Sequence, residues 1–309
     1  LQANLTQVCR PDDVLITAGA AEANYLAIRQ LLNAGDEIII EKPGWPQAEV
    51  LAKAQGASIK VLERREDDRW ALPIDDLRAA VSDKTKLIFL TNPNNPTGCL
   101  LCADELREIV EIARKVGAWL IIDEVYAGLE WRADRAPSVA GLYERGITTG
   151  SVSKALGLQG LRTGWMICRD AGLIMDAIVL RENSSEIMNI LGEAIAEIAL
   201  RPARYKAALE QARADGARTL RALDAFIDAE PLLSWAKPEA GLIGLARLGC
   251  DLIGEQVARQ LLAEPYRTFV LPGVAYDQPK HIRVGVGGGA SAQFEIGLER
   301  LSALLKTLQ

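Results

Sequence analysis

The chain has 309 residues, of which 49% are hydrophobic and 25% charged, a composition typical of a globular protein with one large or two moderate domains. Its 35 basic and 41 acidic residues leave a net charge of -6 without a basic block, so we expect no nucleic-acid partner. No apolar run approaches the roughly 20 residues of a membrane span, so we expect no membrane partner. The five cysteines are an odd number scattered along the chain, which indicates free thiols and a cytoplasmic location.

Two motifs suggest a ligand but lack the residues that the ligand requires. Cys99 and Cys102 form a CxxC pair, but no second pair follows and His281 is the only histidine, so we expect no metal site. The glycine-rich run after Val284 is similar to a dinucleotide loop, yet the chain left after it is too short for the roughly 30-residue unit that this motif requires. Metal and dinucleotide chemistry are therefore disfavoured.

The elements follow in a regular order. Residues 14–168 alternate short apolar runs with amphipathic stretches, which predicts a mainly parallel sheet covered by helices on both faces, an α/β fold of three layers. The predicted strands are 14–17, 37–40, 58–62, 86–90, 119–122, 147–151 and 163–168, and the predicted helices lie near 21–33, 46–55, 75–81 and 103–116.

The second part of the chain changes character. Helices are predicted at 170–181, 186–200 and 203–229, with Pro202 starting the last of them. Strands at 241–247, 268–271 and 281–284 then alternate with helices near 252–263 and 291–307, as in a small α+β domain. We therefore expect a large domain over 1–205 and a small C-terminal domain over 206–309 that begins with the long helix.

Candidate functional residues cluster where the predicted strands end, which is where sheets of this kind bind ligands. In chain order they are Gly19, Ala20, Ala21, Trp45, Asn95, Asp123, Tyr126, Ser151, Lys154 and Arg162. Small residues at a helix start can hold a phosphate through their amides, although a glycine there also suits a plain tight turn.

Two charged residues indicate which kind of ligand this edge of the sheet could bind. Asp123 follows a buried run, where an acid needs a positive partner such as a protonated pyridine nitrogen, or else caps a helix or accepts core hydrogen bonds. Lys154 follows a β-type run and is flanked by hydroxyls; such a lysine can form an imine with an aldehyde cofactor. Ser151 and Arg162 suit a phosphate, and Tyr126 either reaches the same ring or packs.

Taken together, these motifs resemble the class I/II aminotransferases, which are fold type I enzymes dependent on pyridoxal phosphate. The matching segments are Gly19-Ala-Ala-Glu22, Lys42-Pro-Gly-Trp-Pro46, Asn92-Pro-Asn-Asn-Pro-Thr-Gly98, Asp123-Glu-Val-Tyr126, Ser151-Val-Ser-Lys154 with Arg162, and His281-Ile-Arg283. The run after Arg283 resembles a branch that contains capreomycidine synthase. Family members also carry several dozen residues before the equivalent of Leu1, including an arm that closes over the substrate.

The resemblance implies a role for each matching position at the cofactor. The amides of Ala20 and Ala21, the Ser151 hydroxyl and Arg162 would hold the phosphate. Trp45 would stack on the pyridine ring, although a tryptophan between prolines also suits a core.

For the chemistry itself, the resemblance implies that Lys154 carries the cofactor as a Schiff base and moves the proton. Asp123 would pair with the ring nitrogen, and Asn95 and Tyr126 would hydrogen-bond the phenolic oxygen. Arg283 would bind the substrate carboxylate beside Asn95, with a surface ion pair as its alternative.

The resemblance therefore predicts a homodimeric aminotransferase that moves an amino group from an amino acid to a 2-oxo acid. Two alternatives stay open. One is a lyase or cyclase that acts on an amino acid with the same cofactor, because the first steps are identical. The other is the cofactor-binding effector domain of a transcription regulator, whose DNA-binding module would precede Leu1.

Overall fold

The structure, a computed structural model, describes residues 9–131, 135–287 and 292–308. Its larger sheet has seven strands: β1 (Val14–Thr17), β2 (Glu37–Lys42), β3 (Ser58–Glu63), β4 (Thr85–Thr91), β5 (Trp119–Asp123), β6 (Gly146–Ser151) and β7 (Gly164–Cys168). Their order across the sheet is β1-β7-β6-β5-β4-β2-β3. Every pair from β6 to β3 is parallel, whereas β7 runs antiparallel to both β1 and β6.

Helices cover both faces of this sheet. They are α1 (Ala20–Leu31), α2 (Gln47–Ala54), α3 (Ile74–Ala80), α4 (Ala103–Val116), α5 (Val139–Leu142) and α6 (Ala171–Glu182). Alternate residues of β2 serve opposite faces: Ile38 and Ile40 pack with α1, α2 and α6, whereas Ile39 packs with α3, α4 and α5. Strands buried on both sides need continuous apolar runs, which explains the Ile-Ile-Ile of β2 and the apolar run of β5.

A smaller antiparallel sheet follows α7 (Ile190–Leu200) and α8 (Pro202–Ala229). Its strands are β8 (Leu233–Ser234), β9 (Ile243–Leu248), β10 (Leu271–Pro272) and β11 (His281–Gly285), in the order β10-β11-β9-β8, with α9 (Gly254–Leu262) and α10 (Ala292–Lys306) beside it. Leu223 and Ile227 of α8 pack into the core of this sheet together with Leu261 and Leu305. The long helix therefore joins the two sheets.

The predicted parallel sheet and its two helical layers are confirmed, and Pro202 begins α8 as expected. The predicted strand at 268–271 is wrong, because only Leu271 and Pro272 pair with β11. The helix predicted from 186 begins at Ile190, since the Asn189 side chain accepts from the Gly192 amide and caps it there. The sequence did not predict α5 or β8, and residue 291 of the last predicted helix lies outside the described residues. No described helix combines the length and the apolar character that a membrane crossing requires.

Candidate active site

The site lies at one edge of the larger sheet because β4, β5 and β6 are parallel neighbours that end together. Thr91 pairs with Asp123 across β4 and β5, and Asp123 pairs with Thr149 across β5 and β6. The amide of Asn92 donates to the carbonyl of Asp123, which starts the loop 92–98 directly above this edge. The sheet thus brings the Asn95 loop, Asp123 and the segment that leads to Lys154 to one place.

Asp123 is buried and accepts two hydrogen bonds. Its Oδ2 accepts from Asn24 Nδ2 at 2.8 Å, and its Oδ1 accepts from the Val125 amide at 3.0 Å. Burial raises the pKa of Asp123 to about 6, although the bonds from Asn24 and Val125 oppose the shift. Asn24 was not predicted as a site residue; it is oriented by Thr149, whose Oγ1 donates to Asn24 Oδ1 at 2.7 Å.

Lys154 and Tyr126 face each other. The Lys154 Nζ lies 5.6 Å from the centre of the Tyr126 ring. Burial, followed by the charges of Arg283 and Arg162, lowers the pKa of Lys154, while Asp123 acts in the opposite direction. Burial raises the pKa of Tyr126 to about 12, so its hydroxyl keeps its proton at neutral pH. The Lys154 amine therefore loses its proton more easily than the amine of an ordinary lysine.

A cradle of amides and donors lies at the start of α1. Gly19 caps the helix at φ +88°, so Ala20 and Ala21 contribute amides that have no acceptor within the helix. Arg162 donates to the Ala18 carbonyl at 3.1 Å, and a Cβ added to Gly19 would lie 2.6 Å from its guanidinium. Ser151 pairs with Gly164, which also pairs with Thr17, so three strands bring the hydroxyl to this helix end.

Arg283 reaches the site from β11 of the smaller sheet. Its NH1 donates to Asn95 Oδ1 at 3.4 Å and also hydrogen-bonds the hydroxyl of Tyr276, which the sequence did not identify. Both partners are neutral, so the described contacts do not form the surface ion pair considered as an alternative. Among the described contacts, no carboxylate pairs with this guanidinium.

Trp45 is exposed to solvent. Its side chain is 45% exposed, so it is not a core residue. It lines a cleft together with Phe89 and with Tyr276, whose hydroxyl contacts Arg283. Part of its aromatic surface is exposed in this cleft.

The fold and this site define a class of protein. A model of the aminotransferase class I and II family matches residues 2–301, and the chain belongs to that family. The family resemblance seen in the motifs is thereby confirmed.

Individual relatives differ in what they do. The chain is 28% identical over 304 residues to capreomycidine synthase from Streptomyces vinaceus, covering 95% of this chain and 75% of that protein. It is 29% identical over 184 residues to aspartate aminotransferase from Musicola paradisiaca, covering 59% of this chain and 46% of the relative, or about half of its length. The structure is similar to a PLP-dependent aminotransferase from Streptococcus suis, with a TM-score of 0.92 and 30% identity over 99% of this chain and 79% of that one.

Proposed function

We propose that the chain is a pyridoxal-phosphate-dependent aminotransferase that moves an amino group from an amino acid to a 2-oxo acid. One observation carries the proposal. The buried carboxylate of Asp123 at the end of β5 and the amine of Lys154, whose pKa is lowered, lie after neighbouring parallel strands and interact electrostatically. A cofactor with a basic ring nitrogen and an aldehyde uses both groups.

The residues of the site fit this cofactor. Asp123 accepts only neutral donors in its described hydrogen bonds, and a protonated ring nitrogen would supply the positive partner that its burial calls for. At the other end, the Ala20 and Ala21 amides, Ser151 and Arg162 form a set of donors suited to a phosphate. Gly19 has no side chain, and this allows the Arg162 guanidinium to approach the cradle closely.

Pyridoxal phosphate, when bound, supplies an aldehyde that condenses with amines and a ring that accepts electrons from the substrate Cα. We assign the covalent bond and the proton transfer at Cα to the Lys154 amine, because its lowered pKa favours the neutral form. Asp123 would pair with the ring nitrogen and keep it protonated. Asn95 and Tyr126 would donate to the ring's phenolic oxygen, Trp45 would stack on the ring, and Arg283 would bind the substrate carboxylate in a bidentate pair.

The proposal is tested by the absorbance spectrum of the purified chain with added pyridoxal phosphate. Binding through Lys154 gives visible absorbance. Titration with a panel of amino acids, without any 2-oxo acid, then converts the visible form to the pyridoxamine form for each competent donor. Visible absorbance that no amino acid changes would contradict transamination, and no visible absorbance would contradict the role of Lys154.

One relative favours a second function, a lyase or cyclase that acts on an amino acid. Capreomycidine synthase aligns with 95% of this chain, so the alignment includes both the larger and the smaller sheet. Both reactions begin at the same cofactor and the same lysine. They are distinguished by following a 2-oxo acid acceptor, because transamination consumes it in proportion to product, whereas elimination consumes none.

We further propose that the chain acts as a homodimer. Large apolar side chains lie exposed along α6 and α7: Met175, Val179, Ile190, Leu191 and Ile195. Leu191 is 76% exposed, which is unfavourable for a helix that faces water. A second copy of the chain, placed face to face, would bury these residues.

We also propose that the chain is located in the cytoplasm and that it consists of two domains. Cys99, Cys102, Cys168 and Cys250 are free thiols in the structure, which supports a reducing compartment such as the cytoplasm. We place the division between a cofactor-binding domain, 1–205, and a small domain, 206–309, within the first turns of α8. The packing of Leu223 and Ile227 against the smaller sheet supports that division.

A further inference from the structure

A buried ion pair that the proposed function does not use lies beneath the Asn95 loop. Glu41, near the end of β2, and Arg64, just after β3, are 3% and 1% exposed at their side chains. Arg64 donates from Nε and NH2 to Glu41 Oε2 at 2.9 and 2.7 Å, and from NH1 to the Trp70 carbonyl at 2.6 Å. The fork of the guanidinium therefore holds the carboxylate in one orientation.

The second oxygen of this carboxylate supports the loop. Glu41 Oε1 accepts from the Thr91 amide at 2.8 Å and from Asn94 Nδ2 at 2.9 Å. Asn94 in turn accepts, through Oδ1, from the amide and the hydroxyl of Thr97 at 3.2 and 2.7 Å. Hydrogen bonds thus run without a gap from Arg64 to the middle of the loop 92–98.

Asn95 directly follows Asn94 in this loop and contacts Arg283, which lies on the smaller sheet. We propose that Glu41, Arg64 and Asn94 are positioning residues that fix Asn95 between the cofactor's phenolic oxygen and Arg283. The inference rests on the proposed function for the identity of the cofactor. The three residues act through Asn95 and do not themselves touch the ligand.

A charged pair suits this task better than neutral residues. A buried ion pair contributes little net stability compared with apolar side chains of the same volume, because both charges lose their hydration. Its carboxylate is nevertheless a strong acceptor, and here a single oxygen holds both the end of β4 and the Asn94 side chain. We therefore expect the pair to affect loop geometry more than overall stability.

The same strand offers a matched control. Glu37, at the opposite end of β2, is also buried; it accepts from Thr85 Oγ1 at 2.5 Å and lies 2.9 Å from Lys60. It faces the edge of the sheet away from the cofactor site. Glu37→Gln thus removes a buried carboxylate from β2 without disturbing the loop.

Two variants test the inference. Asn94→Ala removes the side chain that links Glu41 to Thr97, together with its longer bond to the Pro43 carbonyl at 3.4 Å. The double variant Glu41→Met/Arg64→Leu removes the pair without leaving a charge unpaired. Hydrogen exchange of the amides of residues 94, 95 and 97–99 is measured in the cofactor-free chain, together with the urea midpoint. The dissociation constant of pyridoxal phosphate is then measured from its visible absorbance.

We expect both variants to keep a urea midpoint close to that of the wild type. Amides 97–99 should exchange about tenfold faster, and the cofactor should bind about tenfold more weakly, the effect of roughly one lost hydrogen bond. Glu37→Gln should change neither quantity. A double variant that folds and binds like the wild type would show that the pair is merely structural.

Asn94→Ala with wild-type exchange and wild-type affinity would overturn the inference, even if the double variant fails to fold. A wild-type chain that does not bind pyridoxal phosphate would overturn the proposed function. If the wild type binds pyridoxal phosphate and both variants match it in amide exchange and in affinity, only the positioning role is overturned.

Discussion

Replacing Asp123 with asparagine should have opposite effects on stability and on cofactor binding. Burial raises the pKa of Asp123 from 3.8 to about 6, so at pH 7 the folded, cofactor-free chain holds an unfavourable charge. That difference corresponds to about 3 kcal/mol, since each tenfold change in an equilibrium is about 1.4 kcal/mol. The asparagine amide carries no charge, but its single oxygen can accept from Asn24 or from Val125 and not from both. The cofactor-free variant should therefore be more stable by less than about 3 kcal/mol, because one lost hydrogen bond offsets part of the gain.

The gain should depend on pH with a definite sign. Because the folded-state pKa is raised, the wild type has its full contribution from Asp123 below about pH 4 and loses it as the pH rises to about 6. The variant's advantage in free energy of unfolding should therefore grow between these values and stay constant above them. Urea unfolding of the cofactor-free proteins at about pH 4, 5 and 7.5 measures the difference.

Asp13→Asn provides a control of opposite sign. The hydrogen bond from Arg10 lowers the pKa of Asp13, so this carboxylate stabilises the fold at neutral pH and loses that effect toward acid. Its variant should be less stable at pH 7, with a deficit that shrinks as the pH falls. An Asp123→Asn difference that does not vary with pH would refute the account of burial.

With pyridoxal phosphate present, the Asp123→Asn chain should bind the cofactor more weakly and turn over on the order of 100-fold more slowly, because the ring loses its charged partner. Equal affinity in the two proteins would refute the pairing of Asp123 with the ring nitrogen.

Other substitutions test the rest of the site. Lys154→Ala should abolish the visible absorbance with pyridoxal phosphate and all turnover; retention of either would disprove its role. Arg283→Lys should raise KM for the amino acid about tenfold with a smaller change in kcat, because a forked pair is lost. Gly19→Ala, whose Cβ would meet Arg162 at 2.6 Å, should weaken binding of the phosphorylated cofactor but not of pyridoxal. Leu191→Glu should yield monomers in sedimentation analysis, and an unchanged mass would contradict the proposed interface.

Much of the fold could be predicted because its strands are continuous apolar runs between amphipathic helices. The runs that end at Thr91, Asp123 and Ser151 also located the edge at which the site forms. The individual roles came from a family resemblance, because Asp123 and Lys154 alone suit several structures. Periodicity failed where elements are short: α5 has four residues and β8 has two.

Contacts between distant parts of the chain were beyond prediction. Asn24 is 99 residues from Asp123 and looks like any polar position on a helix, although an asparagine amid alanines on a buried face is a usable signal. Tyr276 meets Arg283 because a short 3₁₀ helix brings it back to β11. The strand-like run at 268–271 failed for the converse reason: Phe269 is 69% exposed and has no partner strand.

The antiparallel strand β7 has a consequence for the order in which the protein becomes functional. It pairs with β1 on one side and β6 on the other, so the cradle at the start of α1 is assembled from the beginning and the end of the large sheet. During synthesis, Gly19, Ala20 and Ala21 emerge early but have no Arg162 beside them until some 140 residues later. If this cradle holds the phosphate as proposed, we expect a growing chain to bind the cofactor tightly only after β7 has entered the sheet.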